Sequence, residues 1–197
     1  MYVALKAKVA NRGVAPDAWL DELVAWLRSA DEEIFAPRKD PKPPNKDIFN
    51  LVLPDLGFEH GQRRVWPNAL WRRAALGETL RVLAGFESSW RWNEGVDTTN
   101  QRSLANITGQ ETGAFQVSYD SLSFGKELGE TASRFCLASP VTPRLFIDKM
   151  KSDHVFALEY AARLLRLTHR HNGPVLRGEI NPWLQPAAVR ELIALLS

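Results

Sequence analysis

The chain has a single cysteine, Cys136, among its 197 residues. One thiol cannot form an intrachain disulfide, so the sequence excludes a small secreted fold held together by disulfides. Cys136 lies in the apolar segment 133–137, and no histidine is near it in sequence. These surroundings favour a buried, inert thiol over a catalytic nucleophile.

Long apolar runs are also missing. No stretch of about 18 apolar residues occurs, and the N-terminus has no apolar core of signal-peptide length. We therefore expect no membrane-spanning segment. If the protein acts outside the membrane, it needs an export route that does not use a signal peptide, such as phage lysis machinery or a specialised secretion system, unless it is part of a longer protein.

The chain has no large excess of charge. Its 25 Lys and Arg residues are balanced by 23 Asp and Glu residues, which gives a net charge of +2. The basic residues are dispersed along the chain rather than clustered. Because nucleic-acid binding requires a concentrated basic surface, we expect no nucleic-acid partner.

Signatures of metal and serine chemistry are lacking as well. His169 and His171 are two residues apart and do not share a helical face, and no cysteine or regularly spaced acid accompanies them or His154. Ser88 and Ser89 lack the flanking glycines of a nucleophile elbow. We expect neither a metal site nor another cofactor.

Helical patterns dominate what is present. Pro16 and Asp17 begin a helix with Trp19 and Leu23 on its apolar face. Prolines then interrupt regular structure across residues 37–46 and predict an exposed connector. We expect residues 1–50 to form an N-terminal helix and connector, packed on or extending from the core, and residues 51–197 to form the main domain.

Three further helices are predicted in the main domain. The first begins near residues 66–68 and carries apolar residues at helical spacing towards Glu87. The second begins at Thr142 and Pro143, an N-cap followed by proline, and runs as one long central helix to about Leu167. The third is a closing helix after residue 181. Residues 116–124 are expected to be helical, and residues 125–130 a loop or frayed helix.

Glu87 stands at the end of the first of these helices, among Phe86, Trp90 and Trp92. A carboxyl group desolvated by aromatic rings has a raised pKa and can act as a general acid near neutral pH. The alternative is an ordinary helix residue bonded to a neighbouring arginine. A negative charge at a helix C-terminus opposes the macrodipole, which favours a functional reason for Glu87. Trp90 and Trp92 are either sugar-stacking rings or core residues.

Two further motifs follow Glu87 and Ser88 along the chain. After a polar stretch come Gly-Ala-Phe-Gln-Val-Ser at residues 113–118 and His-Asn-Gly-Pro at residues 171–174. The ordered set resembles the lysozyme-like superfamily, particularly lytic transglycosylases and goose-type lysozymes, over roughly residues 66–197. Those families have Glu-Ser, then Gly-Leu-Met-Gln or Gly-Leu-Phe-Gln, then Tyr-Asn-Gly. His171 stands where they usually have tyrosine.

This resemblance implies a mainly α fold with a small hairpin, a long central helix and a sugar-binding cleft. It implies that Glu87 is the catalytic acid, that Gly113 allows close approach of backbone to sugar, and that Gln116 and Asn172 contact the glycan. The full set of substrate-binding residues that it suggests is Ser88, Glu111, Gly113, Phe115, Gln116, Tyr119, His171 and Asn172.

A second catalytic carboxylate is harder to identify from sequence. Glu94, Asp97, Glu111 and Asp120 are all available. We favour Asp97, which lies on the polar loop just after Glu87. In the resembled transglycosylases a single glutamate serves as acid and base with help from the substrate's acetamido group, and an anhydro-sugar is formed.

The expected function is cleavage of the β-1,4 bonds of peptidoglycan between N-acetylmuramic acid and N-acetylglucosamine, in the periplasm or outside the cell. The expected partner is the peptidoglycan strand. Two alternatives remain: a chitinase or chitosanase acting on another amino-sugar polymer, and a glycan-binding module that keeps the cleft without turnover.

Overall fold

The computed structural model describes residues 1–36, 48, 56, 69–96, 101–167 and 173–197. Within these ranges the protein is mainly helical and contains no β-strand, and one isolated antiparallel bridge joins Thr112 to Val117. The α-helices are α1 (Asp17–Ser29), α2 (Ala69–Ser88), α3 (Gln101–Ala105), α4 (Lys126–Cys136), α5 (Pro143–Ser152), α6 (His154–Arg166) and α7 (Pro186–Leu196). Short 3-10 helices lie at Ala4–Lys6, Glu32–Ile34, Ile107–Gly109, Tyr119–Phe124 and Asn181–Trp183.

Helix α2 is the centre of the fold. Thirteen of its 20 residues are buried, including an unbroken run over residues 74–85, so the helix is enclosed on all sides rather than on one face. A Cβ at Gly77 would lie 2.6 Å from Leu27 Cδ1 and 3.1 Å from Leu192 Cδ1. The glycine therefore lets α1 and α7 pack closely against the same point of α2.

A buried ion pair fastens both chain termini to α2. Arg81 donates from Nε and Nη2 to the Glu78 carboxylate at 2.7 and 2.8 Å, and both side chains are fully buried. Arg81 also donates to the Ala7 carbonyl at 3.0 Å, and Glu78 accepts from the Gln185 amide at 2.9 Å. The extra partners satisfy groups that a bare ion pair would leave unpaired in the interior.

The N-terminal segment shares the core of the rest of the chain. Its predicted helix is confirmed as α1, which packs against α2, α6 and α7. Just after α1, Asp31 and Glu33 accept hydrogen bonds from Arg163 of α6 at 3.4 and 2.9 Å. The predicted connector at residues 37–46 lies outside the described residues, as does the predicted helix start at residues 66–68.

The prediction of one long helix from Thr142 to Leu167 is wrong. The chain breaks at Asp153, whose extended backbone (φ −117°, ψ 94°) separates α5 from α6. The Asp153 amide donates to the Lys149 carbonyl at 2.9 Å, and its carboxylate accepts from the Phe156 amide at 3.0 Å. One aspartate thus ends one helix and caps the next, as short polar side chains commonly do.

Helix α4 was not predicted with its true extent. It begins at Lys126 and continues to Cys136, and its buried residues Leu128, Thr131, Ala132 and Cys136 follow helical spacing on one face. The sequence therefore contains the periodicity of this helix, which the expected loop or frayed helix at residues 125–130 did not take into account. The closing helix is confirmed as α7. Among the described helices, none is both long enough and apolar enough to cross a lipid bilayer.

Candidate functional site

Helix α2 delivers Glu87 to the surface of the core. The helix ends at Ser88, and Ser89 and Trp90 adopt positive φ angles of 56° and 61° that turn the chain sharply. The Trp90 amide reaches back to the Ala84 carbonyl at 3.1 Å and caps the helix. A Cβ at Gly85 would lie 2.4 Å from the Trp90 ring, so this turn requires glycine at that position.

Ser88 joins the end of α2 to the turn at residues 112–117. Its hydroxyl is within hydrogen-bond distance of two carbonyl oxygens, 3.0 Å from Ala84 and 2.8 Å from Ala114. It also accepts from the Arg91 amide at 3.2 Å, and the residue is only 1% exposed. Ser88 was expected to contact substrate, but this buried and fully bonded hydroxyl holds two structural segments together.

The turn itself is closed by several hydrogen bonds. Thr112 and Val117 exchange backbone bonds of 3.2 and 3.1 Å, and the Gly113 amide donates to the Glu94 carbonyl at 3.0 Å. Gln116 has a φ of +47°, and its side-chain amide donates to the Gly113 carbonyl at 3.0 Å. The Gln116 side chain is therefore held in place on its own turn.

Gly113 has a structural reason to be glycine. Its φ is +72°, and a Cβ there would lie 3.0 Å from the Met150 carbonyl oxygen and 3.6 Å from that of Trp92. The close backbone approach expected at this residue is thus made to α5 and to the loop after Glu87. The positive φ adds a second reason, because other residues are strained in that conformation.

A cleft of about 380 Å³ opens beside Glu87. Glu87, Glu111 and Gln116, all expected from the sequence, lie along it together. The remaining lining residues are Val117, Ser118, Ser121, Phe124, Leu164, Gly173, Pro174 and Arg177. The lining thus combines carboxylates, an amide, hydroxyls, a guanidinium and apolar side chains, which suits a ligand with both polar and apolar faces.

Glu87 is half-buried, and its environment raises its pKa to about 7. Burial is the largest cause, because it disfavours the charged form, and the negative charge of Glu111 acts in the same direction. Arg177 and Arg12 oppose the shift, whereas Glu179 adds to it. The protonated form of Glu87 therefore persists to much higher pH than that of an ordinary glutamate.

Arg177 and Glu179 were not singled out from the sequence. Arg177 donates from Nε and Nη2 to the two carboxylate oxygens of Glu179, at 2.6 and 3.0 Å. Both residues are exposed, and the cleft-lining Arg177 stands just after the Gly173-Pro174 turn. Only its position shortly after the third motif could have drawn attention to it.

Two residues expected at the cleft have other partners. Phe115 is 3% exposed and packs edge-on against Trp92, with 6.2 Å between ring centroids. The Tyr119 hydroxyl donates to the Val141 carbonyl at 2.9 Å, and its ring lies edge-on to Phe146. Neither residue lines the cleft. We assign both side chains to the core.

The two tryptophans after Glu87 are also engaged by the protein. Trp90 is 4% exposed and donates from Nε1 to the Arg81 carbonyl at 2.9 Å. Trp92 stacks on Trp19 at 5.5 Å and on His154 at 4.3 Å. These contacts favour the core alternative over sugar stacking for both rings.

The remaining candidates fall into two groups. Asp97, His171 and Asn172 lie outside the described residues. Glu94 pairs with Arg91, and Asp120 is exposed and is not among the residues that line the cleft. Of the described acids considered as a partner for Glu87, Glu111 is the one on the cleft.

Comparison of the chain with models of known protein families, with curated proteins and with solved structures finds no match. Its function must therefore be inferred from the geometry and chemistry of the cleft.

Proposed function

We propose that the protein is a glycosidase that cleaves the β-1,4 bonds of peptidoglycan, as a lytic transglycosylase or a muramidase. One observation carries the proposal: Glu87 is half-buried, has a pKa of about 7 and lines an open cleft with Gln116 and Glu111. A carboxylic acid that keeps its proton near neutral pH can donate it to a glycosidic oxygen.

The lining of the cleft suits an amino-sugar polymer. Phe124, Leu164 and Pro174 offer apolar surface to the C–H faces of sugar rings, while Gln116 and Ser118 offer hydrogen-bonding groups to hydroxyl and acetamido substituents. Glu87 lies among these groups, where a glycosidic oxygen of a bound strand would accept its proton.

In the proposed reaction, Glu87 protonates the leaving oxygen as the bond to the anomeric carbon breaks. In the transglycosylase form, the resulting carboxylate then takes the proton of the substrate hydroxyl that closes the anhydro-sugar ring. In the muramidase form, it takes the proton of an attacking water. Glu87 ends each cycle protonated in both forms.

Among the described carboxylates, Glu111 is the best placed to assist. It lies on the same cleft, and its charge contributes to the raised pKa of Glu87, so the two carboxyl groups interact electrostatically. An anionic Glu111 would stabilise the positive charge that develops on the sugar ring in the transition state. Glu111 is thus our preferred second acid among the described residues, and Asp97 stays a prediction.

A peptidoglycan zymogram tests the proposal. The wild-type protein is expected to clear embedded peptidoglycan. Glu130→Gln serves as the matched control for Glu87→Gln, because Glu130 is exposed, pairs with Lys126 and is not among the residues that line the cleft. Mass spectrometry of the products then separates anhydro-muramyl ends from reducing ends. Absence of clearing by the folded wild-type protein, with chitin and chitosan also left intact, would refute a glycosidase and favour the glycan-binding alternative.

A further inference from the structure

A second cavity, of about 510 Å³, lies between α1 and the junction of α5 with α6. It shares no lining residue with the Glu87 cleft. Glu22, Ala25, Trp26 and Ser29 form its α1 wall, and their spacing places them on one face of the helix. Its volume falls in the range of about 300–1,000 Å³ that is usual for ligand pockets.

The ionisable groups of this cavity are bonded to one another in pairs. Glu22 is hydrogen-bonded to Nδ1 of His154, and Lys149 pairs with Asp153 at 2.9 Å. Asp153 is further engaged in capping α6 through the Phe156 amide. A small anion or cation would have to compete with these existing pairs. A neutral ligand with hydroxyl or amide groups can bind beside them without displacing either pair.

The floor of the cavity is apolar. Trp26 and Leu158 line it and are 2% and 1% exposed, and the exposed Val155 adds apolar surface. An apolar floor beside polar groups suits a ligand that has an apolar face and hydrogen-bonding edges.

We propose that this cavity is a second glycan-binding site, which holds a neutral sugar segment of the polymer away from the cleft. The neutral character of the ligand follows from the existing pairs, and its apolar face follows from the floor of the cavity. The choice of an N-acetylated amino sugar rests on the proposed function. Such a site would keep the protein on a polymer while the cleft acts elsewhere on it.

The test uses the whole chain carrying Glu87→Gln, so that a glycan probe is not cleaved. The probe is the β-1,4-linked tetramer of N-acetylglucosamine, and the readout is the indole N–H region of a two-dimensional ¹H–¹⁵N NMR spectrum. The Trp26 signal is identified by its loss in Trp26→Phe. Trp19 provides an internal control, because it is also buried on α1 with an unpartnered Nε1 but does not line the cavity.

A saturable shift of the Trp26 signal without a matching shift of the Trp19 signal is the expected result. Two alanines on α1 then give a matched pair of variants, since both are exposed and only Ala25 lines the cavity. Ala25→Trp should fill the cavity and weaken binding, read from the NMR response, by about tenfold or more, as expected when the ligand loses its contacts with the cavity. Ala18→Trp should leave the response unchanged.

Equal responses of Ala25→Trp and Ala18→Trp would overturn the inference, and so would a Trp26 shift produced equally well by inorganic phosphate or methylamine. Because Ala25 is exposed, its variant keeps the test valid even if Trp26→Phe does not fold. Glycan binding at Trp26 in a protein that clears no polymer would leave this site standing and refute the glycosidase. Clearing of peptidoglycan without any Trp26 response would support the glycosidase and overturn the second glycan-binding site.

Discussion

Ser88 and Ala114 are joined by a 2.8 Å hydrogen bond from the serine hydroxyl to the alanine carbonyl. This bond ties the last turn of α2, which carries Glu87, to the turn that carries Gln116. Two of the three sequence motifs therefore meet through a buried contact, and their side chains reach the same cleft because the backbone segments behind them are fastened together.

Ser88→Ala should lower the stability of the protein at the contact that positions the site. The change leaves the Ala114 carbonyl and the Arg91 amide without their side-chain partner, which is expected to lower the free energy of unfolding by about 1–3 kcal/mol. Urea denaturation measures this loss. Ser123→Ala is the control, because that hydroxyl is exposed and donates only to the nearby Asp120 carbonyl. Equal stability of the two variants would contradict the proposed role of Ser88.

Glu87→Gln should abolish cleavage while the protein remains folded. The amide has nearly the same shape but cannot donate the acid's proton, so we expect a loss of roughly 10² or more in turnover. Release of soluble fragments from peptidoglycan measures the loss. Activity within a few-fold of wild type would show that another group is the acid.

The same substitution should stabilise the protein at alkaline pH. The pKa of Glu87 is raised from 4.5 to about 7, so between these values the folded state binds more protons than the unfolded state, and stability falls as the pH rises. Glu87→Gln removes this cost, which is roughly 2–3 kcal/mol above pH 7 and negligible near pH 4. Thermal melting of the wild-type protein and the variant, near pH 4 and at alkaline pH, shows whether the substitution raises or lowers stability at each pH. A variant that is less stable than wild type at alkaline pH would count against a desolvated Glu87.

The pH profile of cleavage should move in opposite directions in two cleft variants. A general acid must be protonated, so kcat/KM should fall as the pH rises through the pKa of Glu87. Glu111→Gln removes a charge that raises this pKa and should move the fall to lower pH. Arg177→Gln removes a charge that lowers it and should move the fall to higher pH. Profiles that shift in the same direction, or remain in place, would exclude electrostatic control by these residues.

Arg81→Met should be among the more destabilising single changes in the chain. It leaves the buried Glu78 carboxylate without its cation, which typically costs about 3–5 kcal/mol. Arg144→Met is the control, since Arg144 forms an exposed pair with Asp148 at 3.1 Å and should cost less than about 1 kcal/mol. Adding Glu78→Gln to Arg81→Met should restore part of the stability by removing the uncompensated charge. Equal unfolding midpoints for the two single variants would contradict this account of the core.

The sequence by itself determined the local features that depend on nearby residues. Helical spacing and the signals at Pro16 and Asp17 predicted α1, and helical spacing also predicted the helix that carries Glu87. The direction of the Glu87 pKa shift was also predicted, and burial is its largest cause. The helices could be predicted because capping and periodicity act over a few residues.

Only the tertiary structure decided which side chains share the cleft. Phe115 and Gln116 are adjacent in one motif, yet Phe115 packs on Trp92 in the core and Gln116 lines the cleft. Glu111 became the described partner acid, and Arg177 entered the site, because distant segments pack around the end of α2. Sequence patterns do not specify these relationships, since the direction in which a loop side chain points depends on contacts between residues far apart in the chain.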